Sequence, residues 1–256
     1  MGKVYGSAVV LHPLHAAWGR AMAPSPAHPS PFAPRRPLYL LADSQLLFWH
    51  ARGQRLLQSL SAWLPHPAPR ADYIGAANGD HPAFFALFAA AMAGIGIAEC
   101  SMIRSSFPAE DHARLAHADL MLLAGGDVER GWQRLQAVGL PACLRRRYAH
   151  SALLIGISAG AVHLGRGTLS GGESAPRFIE ALQLVPLVIG VHEEPEGWEP
   201  LRRAVRWLGG DARGVGIPTG GGAVYYPDGT YAALRYPLQE FGGAGAPRAL
   251  AKDGGA

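Results

Sequence analysis

From residue 38 onward, short apolar runs alternate with stretches of helical periodicity. Leu38-Tyr39-Leu40-Leu41 is apolar throughout, the pattern of a strand covered on both faces. Leu56, Leu57, Leu60, Trp63 and Leu64 then recur at helical spacing. Tyr73-Ile74-Gly75-Ala76 predicts a second strand, and the Ala/Phe-rich stretch 82–92 a helix. Strands are expected at 97–103 and 120–123, with a short helix over 108–116 between them. Pro108, Glu110 and Asp111 suit its first turn, where proline sacrifices no amide bond and carboxylates meet the positive end of the dipole. Residues 153–157 and 187–191 read as strands, and Trp198, Leu201, Val205 and Leu208 as a helical stripe. Two short strands, 223–226 and 230–234, flank the turn signature Pro227-Asp228-Gly229. Strand alternating with helix predicts an α/β fold of three layers, a mostly parallel sheet flanked by helices. Ligand sites in such sheets gather at the carboxyl ends of strands.

The ends of the chain read differently. Residues 1–36 form a leader that is proline-dense from 23 on and expected to be flexible, 37–241 a single α/β domain, and 242–256 a Gly/Ala-rich tail expected to fray. No internal repeat is visible. The first 23 residues resemble a secretory signal only loosely, because His12, Pro13 and His15 interrupt the apolar stretch. No run is long and apolar enough to predict a membrane span. The formal charge of +4 comes almost wholly from arginine, with Lys3 and Lys252 the only lysines. Arg145-Arg146-Arg147 is the one basic cluster; it falls where a helix should end and cations meet a negative dipole, so no nucleic-acid partner is expected. Cys100 and Cys143 offer neither a disulfide framework nor metal-ligand spacing, which fits a cytoplasmic location. No metal or other cofactor is expected.

Gly156-Ile157-Ser158-Ala159-Gly160 follows a strand and precedes a plausible helix over 159–164. In a G-x-S-x-G elbow, the tight turn lifts a serine hydroxyl clear of the sheet, and the flanking glycines relieve crowding. A serine cap on an ordinary turn is the competing explanation. Ala124-Gly125-Gly126-Asp127 ends another strand, where paired glycines let backbone amides approach a ligand. His192 ends the strand at 187–191 and is the candidate base. His163 competes with it, but lies on the elbow helix, where it should point away from the hydroxyl.

This ordered set, continued by Ala181-Leu182-Gln183-Leu184-Val185-Pro186 leading to His192, resembles the peptidase E (aspartyl dipeptidase) and cyanophycinase family of serine peptidases. The similarity runs from about residue 38 to 238. It implies a class I glutamine amidotransferase-like (flavodoxin-like) fold, Ser158 as nucleophile and His192 as base. It further implies the Gly126 and Ala159 amides as oxyanion hole, and a small peptide as substrate. Glu173 falls where family members carry an acid near the substrate; with Asp127, it is a candidate orienting or substrate-binding group. A second copy of the chain, as a homodimer, is a further candidate partner.

One departure stands out. Where the family places a late carboxylate that orients the histidine, this chain reads Gly216-Ile217-Pro218-Thr219-Gly220-Gly221-Gly222, with Thr219 at the acid position. A hydroxyl can hold an imidazole by hydrogen bond, but it cannot stabilise an imidazolium by charge. Glu173, Glu193, Glu194, Asp43 and Asp80 are the available substitutes, and the sequence does not choose among them. The readings that follow are a dipeptidase-like hydrolase of small peptides and a catalytically lapsed binding or regulatory protein on the same fold. The family's preference for acidic substrates calls for a cation; Arg177, Arg202 and Arg203 are the nearest in sequence. An α/β-hydrolase esterase fits poorly, since about thirty residues separate Ser158 from His192 and no HGGG-type segment precedes the elbow. A glutamine amidotransferase needs cysteine at the elbow.

Overall fold

The computed structural model describes residues 36–51, 53–64, 68–171, 174–242 and 245–249, the last span by its backbone alone. The chain opens with β1 (Leu38–Leu41), a 3-10 turn (Ser44–Phe48), a minimal hairpin of β2 (His50–Ala51) and β3 (Gln54–Arg55), and a 3-10 helix (Leu56–Trp63). There follow β4 (Arg70–Ile74), α1 (Pro82–Ala93), β5 (Glu99–Ile103), α2 (Ala109–Leu115), β6 (Leu120–Leu123), α3 (Val128–Ala137) and α4 (Leu140–Ala149). The second half comprises β7 (Leu153–Ile157), α5 (Ala159–Leu164), β8 (Gly167–Ser170), β9 (Arg177–Glu180), β10 (Val188–Val191) and α6 (Glu199–Leu208). It closes with β11 (Arg213–Ile217), β12 (Gly222–Tyr225), β13 (Tyr231–Leu234), β14 (Gln239–Gly242) and β15 (Gly245–Ala249).

The main sheet runs β13-β12-β1-β7-β6-β4-β5, parallel from β1 to β5, with β12 and β13 added antiparallel. Strand residues alternate between two apolar layers, as a two-faced sheet requires. Leu38, Leu40, Met121, Leu123 and Leu154 pack with Trp132, Leu135, Leu144 and Tyr148 of α3 and α4. Tyr39, Leu41, Leu120, Leu122 and Ile155 face Leu57, Leu60, Phe88 and Met92 on the opposite side. The result is the expected three-layer architecture, with the 3-10 helix taking the place of a full α-helix over 56–63.

The strand carrying His192 lies outside this sheet. β10 pairs with β11 in a second sheet of order β10-β11-β14-β15. One face of it contributes Ile189, Val191, Val215 and Ile217 to the first apolar layer. The other face is covered by Trp198, Leu201 and Val205 of α6 and its cap. Residues Gly245–Ala249, inside the stretch expected to fray, pair as β15 with β14. The basic cluster is used within the fold: Arg145 donates to the Leu182 and Ala181 carbonyls at 3.2 Å each, and Arg147 to the Ala118 carbonyl.

Candidate active site

β7 ends at Ile157, and the chain turns into α5 through Ser158, whose φ of 49° and ψ of −112° lie in a region that non-glycine residues rarely adopt. Such strain costs on the order of 1–3 kcal/mol and persists only where surrounding bonds over-determine it. Here they do. The Ser158 amide donates to the Leu41 carbonyl at 2.8 Å, and the Ser158 carbonyl accepts from Ala161 and Val162 at 2.9 and 3.1 Å. The motif glycines are sterically required: a Cβ on Gly160 would stand 2.0 Å from the Leu123 carbonyl oxygen, and one on Gly156 2.6 Å from the Ala161 amide. The side chain of Ser158 is half-buried, and Ser158 caps no helix amide.

His192 follows the last residue of β10, also at positive φ (45°), with its amide donating to the Ile217 carbonyl at 2.9 Å. This turn brings the imidazole across from the second sheet to the first. Ser158 Oγ and His192 Nε2 are 2.9 Å apart, a full hydrogen bond. At that distance the imidazole can take the hydroxyl proton as the oxygen attacks.

Gly125 and Gly126, after β6, lie directly beside the serine: a Cβ on Gly125 would be 3.1 Å from Ser158 Cβ. Gly126 has φ 141°, and a Cβ there would sit 2.2 Å from the Ala77 carbonyl oxygen, so only glycine fits. The loop after β4, which carries Ala77, therefore walls this corner, a contribution the sequence reading missed. Its one signal was the small-residue run Gly75-Ala76-Ala77 at a strand end. Arg134 of α3 secures the loop through the Ala76 carbonyl at 3.1 Å. Among the described residues the amides of Gly126 and Ala159 form no backbone hydrogen bond outside regular elements.

The candidate orienting groups are placed otherwise. Asp127 caps α3, accepting from the Arg130 amide at 2.8 Å. Thr219 is exposed, and its amide donates to Glu194. Asp43 accepts from the Gly220 amide at 2.6 Å and the Gln45 amide at 2.9 Å. Asp80 accepts from the Ser105 amide and hydroxyl, each at 2.8 Å. Glu193 accepts from the Leu201 amide at 2.9 Å, and burial pushes its carboxyl up to about 7. The four carboxylates Asp43, Asp80, Asp127 and Glu193 all accept from backbone amides, and no group in this set bonds His192 Nδ1, which has no hydrogen-bond partner among the described residues. Glu173 lies outside the described residues. Two of the three candidate cations are engaged: Arg177 is ion-paired with Glu129, and Arg202 stacks over Phe241 at 5.7 Å. His163 points away from the serine, as expected, with Nε2 2.8 Å from the Val128 carbonyl oxygen. Among the described residues no group of His, Cys, Asp and Glu could hold a metal ion.

The profile of peptidase family S51 matches residues 39–220. The chain belongs to peptidase family S51. Among solved structures it is similar to a peptidase from an acI-B1 actinobacterium, with 16% identity, TM-score 0.60, and coverage of 84% of this chain and 96% of that one. It is also similar to a protein described as peptidase E from Listeria monocytogenes EGD-e, with 14% identity, TM-score 0.51, and coverage of 84% and 99%. At these identities the two structures speak for the fold, which is that of peptidase E-type proteins. No curated protein matches the chain. Membership of S51 makes peptidase chemistry the function class, and no helix among the described residues is long and apolar enough to cross a membrane.

Proposed function

We propose that this S51 member hydrolyses small peptides through Ser158 and His192. The observation that carries the reading is the 2.9 Å contact between Ser158 Oγ and His192 Nε2 at a strained strand-to-helix turn. Ser158 Oγ attacks the scissile carbonyl as its proton passes to Nε2. The Gly126 and Ala159 amides hold the oxyanion, and the imidazolium returns the proton to the leaving amine. Water then repeats the sequence on the acyl-enzyme. A fluorophosphonate probe is expected to label wild type and to leave Ser158→Ala and His192→Ala unlabelled, with dipeptide hydrolysis lost in parallel. Equal labelling of wild type and Ser158→Ala defeats this reading.

One observation favours a second reading, a binding protein whose catalysis has lapsed. The late acid is Thr219, and Nδ1 of His192 meets no described carboxylate. Neutralising the acid of a Ser-His-acid triad slows it by about four powers of ten. On this reading, wild type hydrolyses no dipeptide, and Thr219→Glu creates turnover.

A further inference from the structure

A second polar crevice opens at the other end of the sheet from Ser158. It lies between the first residues of β4 and β5 and the outer helix α2, and is lined by Arg70, Asp72, Glu99, Ser101, Arg114 and His117. Its volume is about 250 Å³, below the ~300–1,000 Å³ of drug-sized sites and suited to a ligand of amino-acid size.

Its unusual member is Asp72. The side chain sits in the middle of β4, only 4% exposed, and neither carboxylate oxygen accepts a hydrogen bond from any described residue. A buried carboxylate without a donor is costly, and folded proteins rarely keep one. Burial pushes its proton affinity up to about 7, and Arg114 is the strongest influence in the other direction. Arg114 nevertheless forms no ion pair with it. Carboxylate and guanidinium therefore line the same crevice without an ion pair between them. Of the other charges nearby, Arg70 is paired to Glu99 at 3.0 Å and Asp111 is held by Arg104, while Arg147 adds a weaker pull on the Asp72 carboxyl in the same direction as Arg114. The exposed His117 stands beside Arg114.

We infer that this crevice binds a free α-amino acid, its ammonium donating to Asp72 and its carboxylate accepting from Arg114. A zwitterion supplies both at once, a cation for Asp72 and an anion for Arg114, from groups carried on one Cα. A simple amine satisfies only Asp72 and a simple carboxylate only Arg114. The inference does not depend on the peptidase reading.

The test is calorimetric titration of the full chain at pH 7 with L-alanine, L-aspartate and L-lysine, and with ethylamine and acetate as single-charge controls. At least one amino acid is expected to bind saturably, and both controls about tenfold more weakly or worse. Asp72→Asn and Arg114→Gln are each expected to weaken binding by about tenfold or more. Arg114 is exposed, so its variant reports on the crevice even if Asp72→Asn disturbs packing. Ser158→Ala should bind as wild type does, which separates this site from product binding at the serine. Protonated Asp72 must lose its proton to receive an ammonium, so the measured heat should vary with the ionisation enthalpy of the buffer. Absence of binding by all three amino acids overturns the inference. So does unchanged affinity in Arg114→Gln, or ethylamine binding as tightly as the amino acids.

Discussion

Burial strips water from the His163 ring, which among the described residues has one hydrogen-bond partner, the Val128 carbonyl 2.8 Å from Nε2. Desolvation pushes the imidazole down to about 4, against the smaller opposing pulls of the Val128 carbonyl and Asp127. A base whose folded affinity for protons is depressed contributes stability that is complete above its unfolded value, near 6.5. That contribution is lost as pH falls toward 4, because the unfolded chain takes up the proton first. The shift corresponds to about 3 kcal/mol. Denaturant titrations at fixed pH should therefore show wild type losing about that much more stability than His163→Gln between pH 7 and pH 4. Parallel pH curves for the two proteins would show that the ring is not held neutral. The same environment explains why His163, close to Ser158 in sequence, takes no part in the pair with it. His192, by contrast, stands exposed at the end of β10, with its far ring nitrogen unengaged among the described residues.

Between His192 and α6 lies a short acidic turn, and its carboxylates work as caps. Glu193 accepts from the Leu201 amide in the first turn of α6, while its own carbonyl accepts from Trp198 at 3.0 Å. Glu194 accepts from Thr219 across the gap to β11. Together these bonds fix the residues that follow a histidine held at positive φ. Removing the cap in Glu193→Ala should lower kcat for dipeptide hydrolysis by about ten- to hundredfold, the scale expected for a small misplacement of a catalytic group. KM should be nearly unchanged, and Glu193→Gln, which keeps an acceptor oxygen, should recover most of the loss. A rise in KM alone would place Glu193 in substrate binding instead. This level of structure was only partly legible in the sequence. The unbroken apolar runs of β1, β6 and β7 and the glycine-flanked Ser158 announced themselves, because a strand covered on both faces admits little else. β11 did not. Its Gly214 and Gly216 exist because Leu201, Val205 and Trp198 press so close that a Cβ would meet them at 2.6–2.8 Å, and a strand with such glycines reads as a turn. The roles of the carboxylates were hidden for a different reason. Which backbone amide each one meets depends on contacts between residues far apart in the chain, as when Asp43 closes onto Gly220.

At the scale of the whole molecule, the serine and histidine belong to different sheets, so their separation depends on how the sheets dock. Ser158 is carried by β7 in the seven-stranded sheet and His192 by β10 in the four-stranded one. The joint between them is α5, which follows the serine directly and packs on β10. Its apolar residues Ala161, Val162 and Leu164 share one core with Ile189 and Val191. The approach is tight: a Cβ on Gly165, just past α5, would lie 2.8 Å from the Leu187 carbonyl oxygen and 2.9 Å from Ile189 Cγ1. Packing here therefore does two things, since it stabilises the fold and sets the Ser158–His192 distance on which the proposed reaction depends. Ile189 is 2% exposed, so Ile189→Ala should cost about 2–5 kcal/mol of stability. Because the cavity falls on the joint, the rate of fluorophosphonate labelling should drop as well, measured well below the midpoint of unfolding. A cavity of similar size placed far from the joint, as in Leu60→Ala beneath the 3-10 helix, should cost comparable stability and leave labelling at the wild-type rate. If both variants label as wild type does, the docking of the two sheets does not control the Ser158–His192 pair.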